Sequence, residues 1–195
     1  MEGDAKRQAA FQRELEFIKK LITENVTLFY VDETHVRAYQ ALRTTWAEVG
    51  IKNKCQATVT MPTFLFLAPS MFNKAMWCRA SSANAKTFLD FLRRLKEKYT
   101  DRFLVLVLDN ACIHHAKMVQ AFLDGEEGDA FHFIFLPPYS PQLNPIERLW
   151  KWLKDEVIAN VFHKNQNDIA QSITRFEQYV LQHPDEVLRR MGCAV

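Results

Sequence analysis

Glycine is scarce in this chain. Only five occur in 195 residues, and none stands in a Gly-x-Gly-x-x-Gly or Walker loop, which disfavours nucleotide binding by those routes. Long apolar runs are missing too: the longest, such as Phe103 to Leu108 and Phe133 to Leu136, have the length of a strand and fall short of the ~18 residues that a membrane span requires. The N-terminus (Met1, Glu2, Asp4, Lys6, Arg7) has no apolar centre or cleavage signal for secretion, so no membrane and a cytoplasmic location are expected. Cys55, Cys78, Cys112 and Cys193 form no Cys-x-x-Cys pair and no set with zinc spacing, and are expected as free, mostly buried thiols. Charge of one sign is lacking as well. With 25 basic and 23 acidic residues the net charge is +2, which excludes the bulk positive field of a nucleic-acid coat protein but leaves room for a local basic face.

What the chain does have is core material. It is 48% hydrophobic and 12% aromatic, too apolar for a disordered chain and of a length that suits one domain. Phe11, Leu15, Ile18 and Ile22 recur at helical steps, so residues 5 to 22 read as a helix with one apolar stripe. Val26 to Val31 reads as a strand buried on both faces that stops at Asp32-Glu33. Two antiparallel strands are expected between about 55 and 80. Asn84 can cap a helix carrying Phe88, Leu92, Leu95 and Tyr99. A second buried strand, Leu104 to Leu108, ends at Asp109; residues 115 to 124 read as helix, and Phe131 to Leu136 as a third buried strand closed by Pro137-Pro138. Two more helices are expected, Asn144 to about Ala159 and about Asn167 to Leu181. Strands alternating with helices after an antiparallel start give a mixed sheet covered by helices. The expected organisation is an N-terminal helix (1–25) packing on a core (26–160), with a helical extension (161–195) of the same domain.

Three carboxylates stand where this architecture turns polar: Asp32 after the first strand, Asp109 after the 104–108 strand, and Glu147 in the first turn of a later helix. Carboxyl ends of strands in open α/β sheets line the crevice where ligands bind. Three hard oxygen donors suit Mg²⁺ or Mn²⁺ together with substrate phosphate oxygens. Each acid also has a plainer reading. Asp109, followed by Asn110, fits an Asx-turn, and Asn144-Pro145-Ile146-Glu147 fits a capping box in which Glu147 turns back on its own helix.

The surrounding text decides between these readings. Tyr30-Val31-Asp32-Glu33-Thr34-His35, Leu108-Asp109-Asn110-Ala111-Cys112-Ile113-His114-His115 and Leu136-Pro137-Pro138-Tyr139-Ser140-Pro141-Gln142-Leu143-Asn144-Pro145-Ile146-Glu147-Arg148-Leu149-Trp150 together resemble the catalytic domain of the DDE transposases of the mariner superfamily, particularly its bacterial insertion-sequence branch. The order Asp, Asp, Glu with 37 residues between the last two is close to that group's spacing. The resemblance implies a ribonuclease H-like (retroviral-integrase-like) α/β fold, a mixed five-stranded sheet flanked by helices. It implies that Asp32, Asp109 and Glu147 are the catalytic and metal-binding triad for two Mg²⁺ or Mn²⁺ ions, with Asp32 shared between them. It also implies DNA cleavage and strand transfer on element ends and target DNA, a nucleoid-associated setting, and an active dimer.

Several further residues draw attention. His114, where the family motif has a histidine, could bond a phosphate or a metal-bound water, or simply begin the next helix. Glu33 could tune Asp32 or be solvated, and Asn110 adjoins Asp109. Lys151 and Lys154, four and seven residues beyond Glu147, together with Arg148, Arg93 and Arg94, are candidate phosphate contacts. Trp46 falls in a segment similar to the family's Trp-containing hairpin, while Trp150 and Trp152 read as packing residues. Only about 25 residues precede the first strand, too few for the helix-turn-helix readers of the family, so the expectation is an excised catalytic domain, a binding half encoded as a separate or frameshifted product, or a remnant gene. The alternatives are a ribonuclease H-like nuclease that cuts without joining and a non-catalytic DNA-binding remnant. A carboxylate-pair glycosidase has no motif support.

Overall fold

The computed structural model describes residues 5–23, 25–37, 60–69, 76–80, 84–159, 161, 163 and 165–192. The Trp46 segment, Cys55 and Cys193 lie outside these. Helix α1 (Ala5–Leu21) leads into a sheet of β1 (Val26–Arg37), β2 (Thr60–Pro69), β3 (Met76–Ala80), β4 (Phe103–Leu108) and β5 (Phe131–Phe135) in the spatial order β3-β2-β1-β4-β5. β1 runs antiparallel to β2 and β2 to β3, whereas β1, β4 and β5 are mutually parallel. This is the mixed five-stranded sheet expected from the sequence.

The residue pattern of the parallel strands explains the layers. Alternate side chains of a strand point to opposite faces, and β4, together with β1 from Val26 to Val31, is apolar at nearly every position because both faces are covered. Leu28, Tyr30, Val105, Val107 and Ile134 face one layer, where they pack with Phe11, Leu15 and Ile18 of α1 and with the C-terminal helices. Phe29, Val31, Leu104, Leu106 and Leu108 face the other, formed by α2 (Ala85–Lys98) and α3 (Lys117–Leu123). Helix α2 begins where Asn84 caps it, its side-chain oxygen accepting the Thr87 N–H at 2.9 Å. Among the described residues no helix is long and apolar enough to cross a membrane.

Five expectations need correction. β1 does not stop at Asp32. It loses its β4 neighbour after the Tyr30–Val107 pair but continues to Arg37 by pairing with β2, so the acid lies within a strand whose one flank has opened. β5 is not fully buried, since it is the edge of the sheet and His132 is exposed. The helix expected from Asn144 to about Ala159 is preceded by a 3-10 turn (Pro141–Leu143) and divides into α4 (Ile146–Leu153) and a π-helical turn (Lys154–Ile158) closed by the Ala159 N–H on the Lys154 carbonyl at 2.8 Å. The wider turn lets consecutive Val157 and Ile158 both reach the core. Finally, α5 (Gln166–Gln182) is followed by an unforeseen helix, α6 (Pro184–Met191), which Gly192 ends in the left-handed region. Cys112, the one cysteine whose side chain is described, is exposed and not buried.

Candidate active site

The parallel strands β1, β4 and β5 end at the same edge of the sheet, and their chain continuations frame a pocket of about 430 Å³. Asp32, Asp109 and Glu147 all line it, opposite Leu136, Pro137 and Tyr139. Residues far apart in sequence are therefore brought to one cleft by parallel strand order, in the crevice where an open α/β sheet binds ligands.

Asp32 is the buried member, with 8% of its surface exposed. Its Oδ2 accepts the Trp150 indole N–H at 3.1 Å and its Oδ1 the backbone N–H of Glu33 at 2.9 Å. Burial pushes its carboxyl up from 3.8 to about 7; the two donated hydrogen bonds oppose this, and the negative charges of Glu147 and Asp109 add to it. Trp150 was read as packing alone. It is packed, with 2% of its surface exposed, but its N–H also fixes the first acid. The signal was present in the sequence, because a fully buried indole needs an acceptor and Trp150 stands three residues beyond Glu147, on the same helix.

Asp109 is half exposed. Its Oδ1 accepts the Ala111 N–H at 2.9 Å, so the Asx-turn reading and the pocket reading hold together. His114 does not begin a helix, since α3 starts at Lys117. It is buried at 1% exposure, held against Phe88 with ring centroids 4.6 Å apart, and its Nδ1 lies 3.1 Å from Asp109 Oδ1. That hydrogen bond is the foremost cause holding the Asp109 carboxyl below the usual range. On the other side of the ring Nε2 faces Glu33 Oε1 at 3.9 Å, too long for a hydrogen bond, and neither atom has another partner. Burial raises the Glu33 carboxyl, with His114 opposing. Glu33 thus meets Asp32 only through its backbone N–H and meets His114 through its side chain. Asn110 donates from Nδ2 to the Leu136 carbonyl, tying the end of β4 to the chain leaving β5.

Glu147 does not form the capping box. That arrangement needs the Asn144 N–H, which instead binds the Pro141 carbonyl at 3.0 Å, while Asn144 Oδ1 accepts from Ile146 N–H at 3.2 Å. The Glu147 side chain is exposed at the pocket wall. All donors at the site are hard oxygens suited to a divalent cation. Among the described residues, however, no three His, Cys, Asp or Glu side chains stand as a ready-made ligand set.

The basic candidates separate. Lys151 is exposed and Lys154 half-buried on the layer that holds Glu147, and Arg148 Nη1 donates to the Met191 carbonyl at 3.0 Å. Arg93 and Arg94 lie on α2, on the opposite face of the sheet, with Arg93 beside Glu127 at 3.5 Å and Asp90 at 4.0 Å.

Comparison with known proteins places this geometry. An uncharacterized 39 kDa protein of insertion element IS630 from Shigella sonnei is 27% identical over 161 residues, 80% of this chain and 46% of its own length. The uncharacterized protein y4pE/y4sA of Sinorhizobium fredii is 35% identical over 66 residues, 34% of this chain and 44% of its own. The chain thus spans about half the length of the curated relatives it matches. The crystal structure of the catalytic domain of Mos1 mariner transposase superposes with a TM-score of 0.60 at 12% identity, over 99% of this chain and 94% of that one. The Mos1 strand transfer complex gives 0.62 at 14%, over 95% and 56%. The fold is accordingly the ribonuclease H-like one. A family model described as DDE superfamily endonuclease matches residues 27–170, most of the sequence and all three acids. By that match the chain belongs to the DDE superfamily endonucleases.

Proposed function

We propose that this chain is the catalytic domain of a transposase, cutting DNA strands and joining the freed 3′-OH end to target DNA, with Mg²⁺ or Mn²⁺ held by Asp32, Asp109 and Glu147. The observation that carries the reading is the pocket itself. Three acids from distant parts of the sequence line it, and Asp32 is pushed up to about 7 by burial and by the other two charges. Like charges gathered in a cleft with no basic side chain among its lining residues are costly unless a cation joins them. Glu147, exposed at the wall, would complete the set beside the two aspartates when one does. Paired divalent ions, when bound, activate an attacking oxygen and stabilise the leaving one. The protein's own part is orientation: Trp150 aims Asp32, His114 and the Ala111 N–H aim Asp109, and Asn110 keeps the strand ends in register. The Mos1 paired-end complexes that resemble the chain were solved with Mn in one case and Mg in another, which supports the choice of ion. DNA as partner, an active dimer and end recognition by a separate helix-turn-helix polypeptide are parts of the same proposal.

The test is a Mg²⁺ or Mn²⁺ titration followed by a nicking and strand-transfer assay on a duplex with a pre-cleaved 3′-OH end. Asp109→Asn should weaken metal binding, and Asp32→Asn should reduce both cleavage and joining to background. Wild-type cleavage by Asp32→Asn would sink the reading; cleavage without joining by the unmodified chain would reduce it to a nuclease.

A further inference from the structure

Among the described residues, Tyr139 alone, glycine aside, has a positive φ, at 55°. A bulky side chain in the left-handed region is an outlier that persists only where its surroundings over-determine it. They do so here. Ser140, 4% exposed, donates from Oγ to the Pro138 carbonyl at 3.2 Å and accepts from Gln8 Nε2 of α1 at 3.0 Å. The Leu143 N–H binds the Ser140 carbonyl and the Asn144 N–H the Pro141 carbonyl, each at 3.0 Å, and Asn110 holds the Leu136 carbonyl. Prolines at 137, 138 and 141 stiffen the same stretch.

The backbone is clamped on both sides, yet the residue is 69% exposed. It contributes nothing to either core cluster. It lines the pocket of Asp32, Asp109 and Glu147. A fold that fixes an aromatic residue in an uncommon conformation and leaves its face in water beside the acids is presenting that face to something flat.

We infer that Tyr139 is a stacking platform for an unpaired nucleobase next to the phosphodiester on which the three acids act. The inference rests on the reading of the site as a DNA-cutting centre and adds a base subsite to it. Stacking on an aromatic ring is tolerant of base identity, because every base has a π-face, so the subsite would position the strand without reading its sequence. The base must be out of its duplex to reach the ring, so frayed or single-stranded ends are the ligand class.

Glycine separates ring from backbone. It occupies the left-handed region without penalty, so Tyr139→Gly keeps the loop and removes the platform, while Tyr139→Phe keeps both. The probe is a duplex of arbitrary sequence with a short unpaired 3′ tail carrying 2-aminopurine, with Ca²⁺ in place of Mg²⁺ to prevent cutting; the blunt duplex of the same sequence is its control. Tyr139→Gly should weaken affinity for the tailed probe by about 5- to 150-fold, the range that loss of one stacked base gives, and should abolish the quenching of 2-aminopurine on binding. Tyr139→Phe should recover most of both, and affinity for the blunt duplex should not change in either variant. Tyr139→Gly binding and quenching the tailed probe as the unmodified chain does would overturn the platform and leave the cleavage reading, tested through the acids, standing. Failure of the unmodified chain to bind either duplex would overturn both.

Discussion

At the scale of single residues, Asp32 sets the balance between folding and function. Its carboxyl is raised to about 7 in the folded chain, so the folded state holds that proton more tightly than the unfolded one. The associated stability is fully present below about pH 3.8, is lost as pH climbs to about 7, and is absent above. The penalty at pH 8 is on the order of 4 kcal/mol, at 1.36 kcal/mol per unit. Asparagine cannot ionise, although with one carbonyl oxygen it accepts fewer hydrogen bonds. In chelator at pH 8, Asp32→Asn should therefore melt higher than the unmodified chain by about 4 to 12 °C, corresponding to roughly 2 to 3 kcal/mol, and the gap should close near pH 4. Thermal melts across pH test this, and an unmodified chain that is the more stable at pH 8 would show that Asp32 is solvated.

Trp150 makes a second residue-scale case. Phenylalanine keeps most of its apolar volume but removes the N–H on Asp32 Oδ2. Since that bond favours the charged carboxyl, Trp150→Phe should push Asp32 higher still. It should weaken metal affinity by about 10- to 100-fold, as loss of a partner behind a ligand does, and move the pH midpoint of metal binding upward. Isothermal titration at several pH values is the check. A variant that lost only stability, with metal affinity intact, would return Trp150 to a purely structural role.

At the scale of elements, legibility followed what each element is buried against. Helices α1 and α2 and strand β4 were readable because one face, or both, is apolar at the right period. The continuation of β1 was hidden: Asp32, Glu33 and Thr34 look like an exit into solvent, and only pairing with β2, many residues away, keeps them in the sheet. The break of the expected 144–159 helix into α4 and a π turn was equally invisible, since neither glycine nor proline interrupts it. The motifs pointed to three acids that do line one pocket, but the hydrogen bonds of Trp150 and His114 to two of them depend on contacts across 118 and five residues. The missed helix α6 docks by Val187 and Met191 and carries the Arg148 contact. Gly192 ends it at φ 73°, and a Cβ there would run into the Arg148 guanidinium. Gly192→Ala should thus cost about 1 to 2 kcal/mol of backbone strain plus the displaced Arg148 bond, and Arg148→Ala in the same chain should recover the clash but not the strain. Denaturant midpoints of both single variants and of the double variant measure this; a cost of Gly192→Ala that is the same with and without the Arg148 side chain would deny the clash.

At the scale of the whole molecule, the sheet divides the basic residues by layer. Lys151 and Lys154 follow Glu147 along the layer that carries the acid, whereas Arg93 and Arg94 sit across the sheet on α2, and Arg93 already faces Glu127. With a net charge of only +2, no global field would draw DNA to every face, and the proposed function puts the contact on the side where the pocket opens. Each phosphate neutralised contributes about −0.9 to the slope of log affinity against log salt. For a duplex of arbitrary sequence, Lys151→Glu and Lys154→Glu should each lower affinity and reduce the steepness of that slope by about one. Arg93→Glu with Arg94→Glu should leave the slope unchanged, and no variant should alter preference between two unrelated sequences, because phosphate contacts position without specifying. Affinity measured over a salt series for the two duplexes decides it. If the α2 pair changed the slope and the α4 pair did not, DNA would have to run along the opposite layer, and the pocket of Asp32, Asp109 and Glu147 would no longer lie on its path.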